Sequence, residues 1–255
     1  MDKGKVMVFD NFIQQSQFYF DLYRHFLLCR DDKSVKQILL NTQSEQVPKL
    51  ENIPRVLHYC WFGGNHYPDI VKRCMESWQN QEGFFIKLWN EDNFPVELYP
   101  FAEQALQQKK WAMVSDVARL HALYYEGGVY LDTDMELIKS LSPLLKLNAF
   151  ACIESKRLVS IGLAGAKPFH PCIGKVLSWY KLPPFRPCYG IIANTRIISR
   201  MIELHYRIKL DGHPFKLRDG MQFYSYDYFL PRRNVSGEFI LTENTIAIHH
   251  GTGLW

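Results

Sequence analysis

Gly127-Gly128-Val129-Tyr130-Leu131-Asp132-Thr133-Asp134 is the stretch on which the fold turns. Three apolar residues between a Gly-Gly turn and a polar end read as a short buried strand. Trp111–Glu126, just upstream, reads as a helix stopped by that turn. A further helix is expected near Glu97–Lys109, and Phe84–Trp89 reads as a strand. Pro68 opens a helix to about Trp78, and Arg55–Trp61 reads as a strand ending at Gly63-Gly64. Strands separated by helices imply βαβ units: an α/β fold with a single, mainly parallel central sheet flanked by helices. Such sheets bind ligands at the carboxyl ends of their strands. Two of those ends carry Trp61-Phe62-Gly63-Gly64 and Asp132-Thr133-Asp134.

The chain has 255 residues, with 30 Lys and Arg against 26 Asp and Glu, a net charge of +4. That excess is too small to point to nucleic acid as the partner. A hydrophobic fraction of 47% excludes wholesale disorder. The six cysteines form no Cys-x-x-Cys pair, so a zinc ribbon or thioredoxin-like site is not expected, and they read as reduced and mostly buried. No stretch approaches the ~20 apolar residues of a membrane span, and Met1–Asp10 has no signal-peptide core. A cytoplasmic protein is expected, with the inner membrane face as an option. Residues 1–50 differ from the rest: Phe12, Phe18, Tyr19, Leu22, Tyr23, Phe26 and Leu27 recur at helical spacing, predicting a helix over Asn11–Cys29. They read as an N-terminal helical extension, and 51–255 as the main domain.

Two carboxylates one residue apart at a strand end, Asp132 and Asp134, suit a hard divalent cation such as Mn²⁺ or Mg²⁺. A cation there would neutralise a diphosphate. By itself the pair is weak, since a solvated turn carries the same pattern, and about one copy arises by chance in a chain of this size. Its setting changes the balance. The preceding helix carries Ser115-Asp116 and Arg119, with Asp116 and Arg119 on one face. They are equally a pair of ligand contacts or an intrahelical ion pair.

Together these runs resemble the family 32 glycosyltransferases, the sugar transferases with a DxD motif found in capsule and lipopolysaccharide synthesis and among yeast mannosyltransferases. The resemblance lies in Ile53–Gly64, Leu88-Trp89-Asn90-Glu91-Asp92-Asn93, Val114–Arg119 and Gly127–Asp134, in that order. It covers about Ile53–Leu145, returns at Ile248-His249-His250 and is absent from 1–50. The clostridial glucosylating toxins share these elements more distantly.

The resemblance implies a GT-A fold, with a donor half of about 51–147 and an acceptor half of about 148–255. It implies transfer from a nucleotide-sugar donor with retention of configuration. It favours a UDP-sugar, with GDP-mannose as the alternative, and a glycan or lipid-linked acceptor, with peripheral membrane association as an option. It also implies roles. Trp61, next to Gly63, would stack on the nucleotide base. Ser115, Asp116 and Arg119 would meet the donor sugar. Asp134 would touch the metal, and Asp132 the ribose or a metal-bound water. His250 would complete the metal shell, with His249 on the opposite face, and Gly253 and Trp255 would close over the diphosphate. Gly251 replaces the aromatic usual after the two histidines, so a more mobile terminal segment is expected. No nucleophile stands out, which fits a front-face reaction within an ion pair.

The acceptor side is expected from Asn148–Arg233. Ser160–Ala166, the loop Pro183–Pro187 and Gly190–Asn194 fall there, as do Tyr224, Tyr226, Tyr228 and Phe229, rings that suit stacking on a sugar or packing on the sheet. Three other functions share parts of the pattern: a DxD phosphohydrolase, a non-catalytic nucleotide-sugar-binding module, and an effector that glycosylates a protein.

Overall fold

A computed structural model describes residues 50–181 and 194–253. The expected helix over Asn11–Cys29, the loop Pro183–Pro187 and Trp255 lie outside the described residues. Seven strands form the central sheet in the order β2-β1-β3-β6-β5-β8-β7. They are β1 (Val56–Cys60), β2 (Phe85–Trp89), β3 (Gly128–Leu131), β5 (Ala149–Ser155), β6 (Leu158–Ala166), β7 (Phe215–Lys216) and β8 (Met221–Tyr224). Strands β2, β1, β3, β5 and β8 run one way, and β6 and β7 oppose them. A separate antiparallel pair joins β4 (Met135–Leu137) to β9 (Ala247–His249).

Burial on both faces explains the apolar strands. Along β1, Leu57 and Tyr59 enter the core under α1 (Asp69–Gln79), which contributes Val71, Cys74 and Trp78 from one face. Cys60 turns to the opposite core, built on α2 (Pro100–Gln107), α3 (Trp111–Tyr125), α4 (Pro171–Tyr180) and α5 (Asn194–Tyr206). The helix expected over Glu97–Lys109 is broken. Pro100 forces Tyr99 into an extended conformation, so a 3₁₀ turn (Val96–Leu98) precedes α2. Helix α3, buried almost throughout from Val114 to Tyr124, runs beneath the sheet toward the turn before β3.

That turn requires both glycines. Gly127 and Gly128 have φ of 68° and 93°. A Cβ on Gly128 would stand 2.7 Å from the Val56 carbonyl oxygen and 2.9 Å from His58 Nε2. His58 braces the turn: its Nε2–H donates to Gly127 O (2.8 Å), while Trp89 Nε1–H donates to its Nδ1 (3.1 Å). Burial lowers the His58 pKa to about 4, so the ring is neutral.

Candidate active site

Helix α3 and strand β3 meet at Arg119. Its guanidinium reaches Asp116 Oδ1 (3.1 Å) within its own helix and Asp132 Oδ1 (3.0 Å) past the end of β3. The Tyr130 ring lies against it, 4.7 Å away at the centroid, and the Tyr130 hydroxyl donates to Asp132 Oδ1 at 3.0 Å. Burial works against the Arg119 charge, but Asp132, Tyr130 and Asp116 more than offset it, so the group stays ionised. Asp116 is also held from the other side. Asn194, the first residue of α5, donates Nδ2–H to Asp116 Oδ1 (2.9 Å), and Tyr180 donates to Asn194 Oδ1 (2.9 Å). Burial raises the Asp116 carboxyl to about 6 against the opposing Arg119 charge. Thus the intrahelical pair and the ligand wall foreseen for Asp116 and Arg119 are one arrangement.

Asp116, Arg119, Asp132 and Asn194 line a cavity of about 550 Å³, together with Glu154, Ser160, Gly162 and His249. Strand β6 passes beside Asp132, whose N–H donates to Gly162 O at 2.7 Å. A Cβ on Gly162 would stand 2.5 Å from Asp132 Oδ2, so only glycine leaves the carboxylate in place. Desolvation raises the Glu154 carboxyl, with His249 opposing.

Asp134 is held by the far end of the described chain. Its Oδ1 meets His249 Nε2 at 3.1 Å. Its Oδ2 accepts from Thr252 N–H (2.8 Å) and the Thr252 hydroxyl (2.9 Å). Burial alone would raise this carboxyl, yet His249 and the two Thr252 donors hold it well below the usual carboxylate range. His249 is raised in turn, Asp134 and Asp132 overcoming its burial.

The expected histidine assignment is reversed. Strand β9 pairs with β4 in the register Met135↔His249 and Glu136↔Ile248, which directs His249 into the cavity. His250 faces away, where Nε2 meets Glu136 Oε2 (2.8 Å) and Arg73 Nη2 (3.2 Å). Gly251 is not a loosening substitution: its φ of 63° turns the chain back so that Thr252 ties onto Asp134.

Other expected contacts are not brought to the cavity. The Trp61 indole is 9% exposed, packs 4.8 Å from the Tyr67 ring and donates to Asn65 O at 2.7 Å. Gly63 shapes the turn after β1, its N–H donating to Glu91 Oε1 at 2.6 Å. Ser115 is buried in α3, and its hydroxyl has no partner among the described residues. Gly253, with φ of 59°, follows Thr252. Tyr224, Tyr228 and Phe229 pack on one another and on Phe150, so those rings serve the core. Arg232 covers Tyr226 at 4.2 Å and lines the cavity with Leu230 and Pro231.

Glu154, His249 and Thr252 were not assigned to the site from the sequence, whereas Gly162 and Asn194 fall in the segments Ser160–Ala166 and Gly190–Asn194 expected on the acceptor side. The one local signal is the small-residue run Ser160–Ala166, which marks a strand approached closely by another group.

Among the described residues no three His, Cys, Asp or Glu side chains converge on one point. Asp134 and His249 offer one carboxylate and one imidazole, with Asp132 beside them. Mg²⁺ at nucleotide sites is bound by one or two carboxylates, with substrate phosphates and water completing its shell. The donor set fits that demand.

Residues 65–151 match the family described as the glycosyltransferase sugar-binding region containing the DXD motif. The chain is 28% identical over 163 residues to the mannosyl phosphorylinositol ceramide synthase SUR1 of Saccharomyces cerevisiae, covering 60% of this chain and 42% of that protein. It is 39% identical over 64 residues to the toxin Afp18 of Yersinia ruckeri, covering 25% of this chain and 3% of the toxin. The chain therefore spans about two fifths of the first and a small part of the second. The structure is similar to that of the PaToxG glycosyltransferase, with a TM-score of 0.51, 15% identity, and 74% of this chain and 80% of that one covered. The resemblance to DxD sugar transferases and the GT-A fold are borne out.

Proposed function

We propose that this chain is a metal-dependent, retaining glycosyltransferase. It moves a sugar from a nucleotide-sugar donor to a glycan or lipid-linked glycan acceptor, in a cytoplasmic setting. The observation that carries this reading is the Arg119 fork. One buried guanidinium fixes Asp116 and Asp132 on one wall of a 550 Å³ cavity, and Asp134 with His249 stands at the end of the same strand segment.

Asp116, oriented by Arg119 and Asn194, accepts hydrogen bonds from sugar hydroxyls and so fixes the ring. Arg119 keeps both carboxylates placed before substrate arrives, so no reorganisation accompanies the reaction. Asp134 and His249 would hold a Mn²⁺ or Mg²⁺, with Asp132 beside them; a divalent cation there stabilises the charge of a departing diphosphate. Asp116, Asp132 and Asp134 are each tied to a cationic or hydrogen-bonding partner, which favours electrostatic roles for them and a front-face reaction without a covalent sugar adduct. The yeast relative's name, a mannosyl phosphorylinositol ceramide synthase, supports a lipid-linked acceptor and a mannosyl donor; GDP-mannose and a UDP-sugar are the competing nucleotide sugars. Four buried free cysteines, Cys60, Cys74, Cys152 and Cys172, support a reducing compartment.

The test is nucleoside diphosphate release from a panel of nucleotide sugars with Mn²⁺, against an Asp134→Asn control. Release from one donor, lost without metal and in the variant, is expected. No release, together with no donor-induced thermal stabilisation, would sink the proposal.

A further inference from the structure

A second cavity of about 550 Å³ lies beside the first and has a different character. Arg157, Arg196, Arg200 and Lys209 line it, and among the described residues of its lining Glu203 carries the one carboxylate. Arg196 and Arg200 are four residues apart on α5, which puts them on one helix face. Glu203 orients Arg200 through its Oε2 (3.1 Å) and accepts the Leu210 N–H on Oε1 (3.1 Å), so its charge is shared.

The two cavities share two structural elements. The first two residues of α5, Asn194 and Thr195, line the active-site cavity, and Arg196, Ser199 and Arg200, which follow them, line the basic one. Strand β6 gives Ser160 and Gly162 to the first and Leu158 to the second. Ser199 locks the elements together by accepting the Val159 N–H at 2.9 Å. At 1.5 Å per residue, Arg200 stands about 9 Å along the helix from Asn194, which holds Asp116. That is about the span between a reacting hydroxyl and a phosphate on the far side of one sugar or cyclitol ring.

From this we infer that the basic cleft binds the phosphate of the acceptor, placing a phosphate-substituted polyol with a hydroxyl in the active-site cavity. The inference rests on the transferase reading and adds the acceptor's charge class. Guanidinium groups paired on one face suit phosphate oxygens, which they bind by short charge-assisted hydrogen bonds.

The test titrates the full chain with glycerophosphoinositol, myo-inositol and inorganic phosphate by calorimetry, and measures co-sedimentation with phosphatidylcholine vesicles with and without phosphatidylinositol. The phosphodiester is expected to bind at least tenfold tighter than myo-inositol. That preference should disappear in Arg196→Gln/Arg200→Gln and weaken severalfold in Arg157→Gln/Lys209→Gln, whose side chains are exposed and whose loss spares the fold. Sedimentation only with phosphatidylinositol vesicles supports a lipid headgroup as the source. Equal affinity for inorganic phosphate assigns the cleft to the free ion and overturns the acceptor role. Equal affinity for myo-inositol, or indifference to both double variants, overturns the site itself. Donor-induced thermal stabilisation is read in parallel. If it fails while the phosphodiester binds, the transferase reading falls and the anion site stands; the converse overturns the cleft alone.

Discussion

Gly162→Ala moves a carboxylate without changing any charged or polar side chain. The new methyl would lie 2.5 Å from Asp132 Oδ2, whereas real contacts of this kind begin at 3.0 Å and become ordinary at 3.4 Å. The carboxylate must therefore retreat by roughly 0.5 to 0.9 Å. It has little freedom to do so, because Oδ1 is bonded to Arg119 and Tyr130, both at 3.0 Å. Gly162 lies outside the left-handed region, so alanine meets no backbone strain. Removing a strand glycine favours the fold by about 0.5–1 kcal/mol, while the overpacking costs about 1–3 kcal/mol. Net stability should fall by about 0 to 2.5 kcal/mol. Misplacing a catalytic group by about 1 Å costs on the order of 100-fold in rate, so donor hydrolysis should drop 10- to 100-fold. The assay pairs nucleoside diphosphate release with a thermal melt. A variant within threefold of wild type would refute the idea that Gly162 sets the position of Asp132. Collapse of melt and activity together would show that the methyl disrupts the sheet instead.

His249→Ala should abolish Mn²⁺-stimulated donor turnover, at least 100-fold, whereas His250→Ala should change it less than threefold; the opposite result would restore the assignment made from sequence alone. Arg119→Gln removes the counter-charge of two carboxylates and should cost about 3–5 kcal/mol in urea unfolding, with Arg119→Lys recovering part of the stability but little activity, since one ammonium does not reproduce the fork. His58 gives a pH signature: its folded pKa is about 4 against 6.5 unfolded, so the unfolded chain binds more protons between these values and stability rises with pH across that window. The stabilisation is fully present above pH 6.5 and lost as pH falls through 4, worth about 3 kcal/mol at the limit, and the wild-type-minus-His58→Gln difference in unfolding free energy should shrink by that amount.

What the sequence revealed, and what it hid, follows from the range of the forces involved. Strand β3 was legible because its turn, its apolar core and its carboxylates are contiguous, and α3 because it ends at the same two glycines. The Asp116–Arg119 face followed from helical period alone. The histidines are different. Alternation correctly placed His249 and His250 on opposite faces, but which face meets Asp134 depends on the pairing of β9 with β4, more than a hundred residues upstream. Asn194 and Gly162 were legible only as members of acceptor-side segments: their contacts with Asp116 and Asp132 exist because α5 and β6 lie against α3 and β3. Trp61 was ambiguous because a strand-end aromatic before Gly-Gly fits a base-stacking surface as well as a core, and local pattern did not show its packing on Tyr67.

The pairing of β4 with β9 also bears on the order of assembly. Strand β3 takes its antiparallel partner at Ala166–Leu163, but β4 waits for Ala247–His249, and Asp134 for Thr252. Closing a loop of that length is slow, though its entropy cost grows only logarithmically. The Arg119 fork joins side chains of the neighbouring elements α3 and β3, whereas the Asp134 corner needs His249 and Thr252 as well. A chain cut before Ala247 should therefore keep the Arg119 fork while Asp134 loses its His249 and Thr252 partners, which makes the two corners of the cavity separable by truncation.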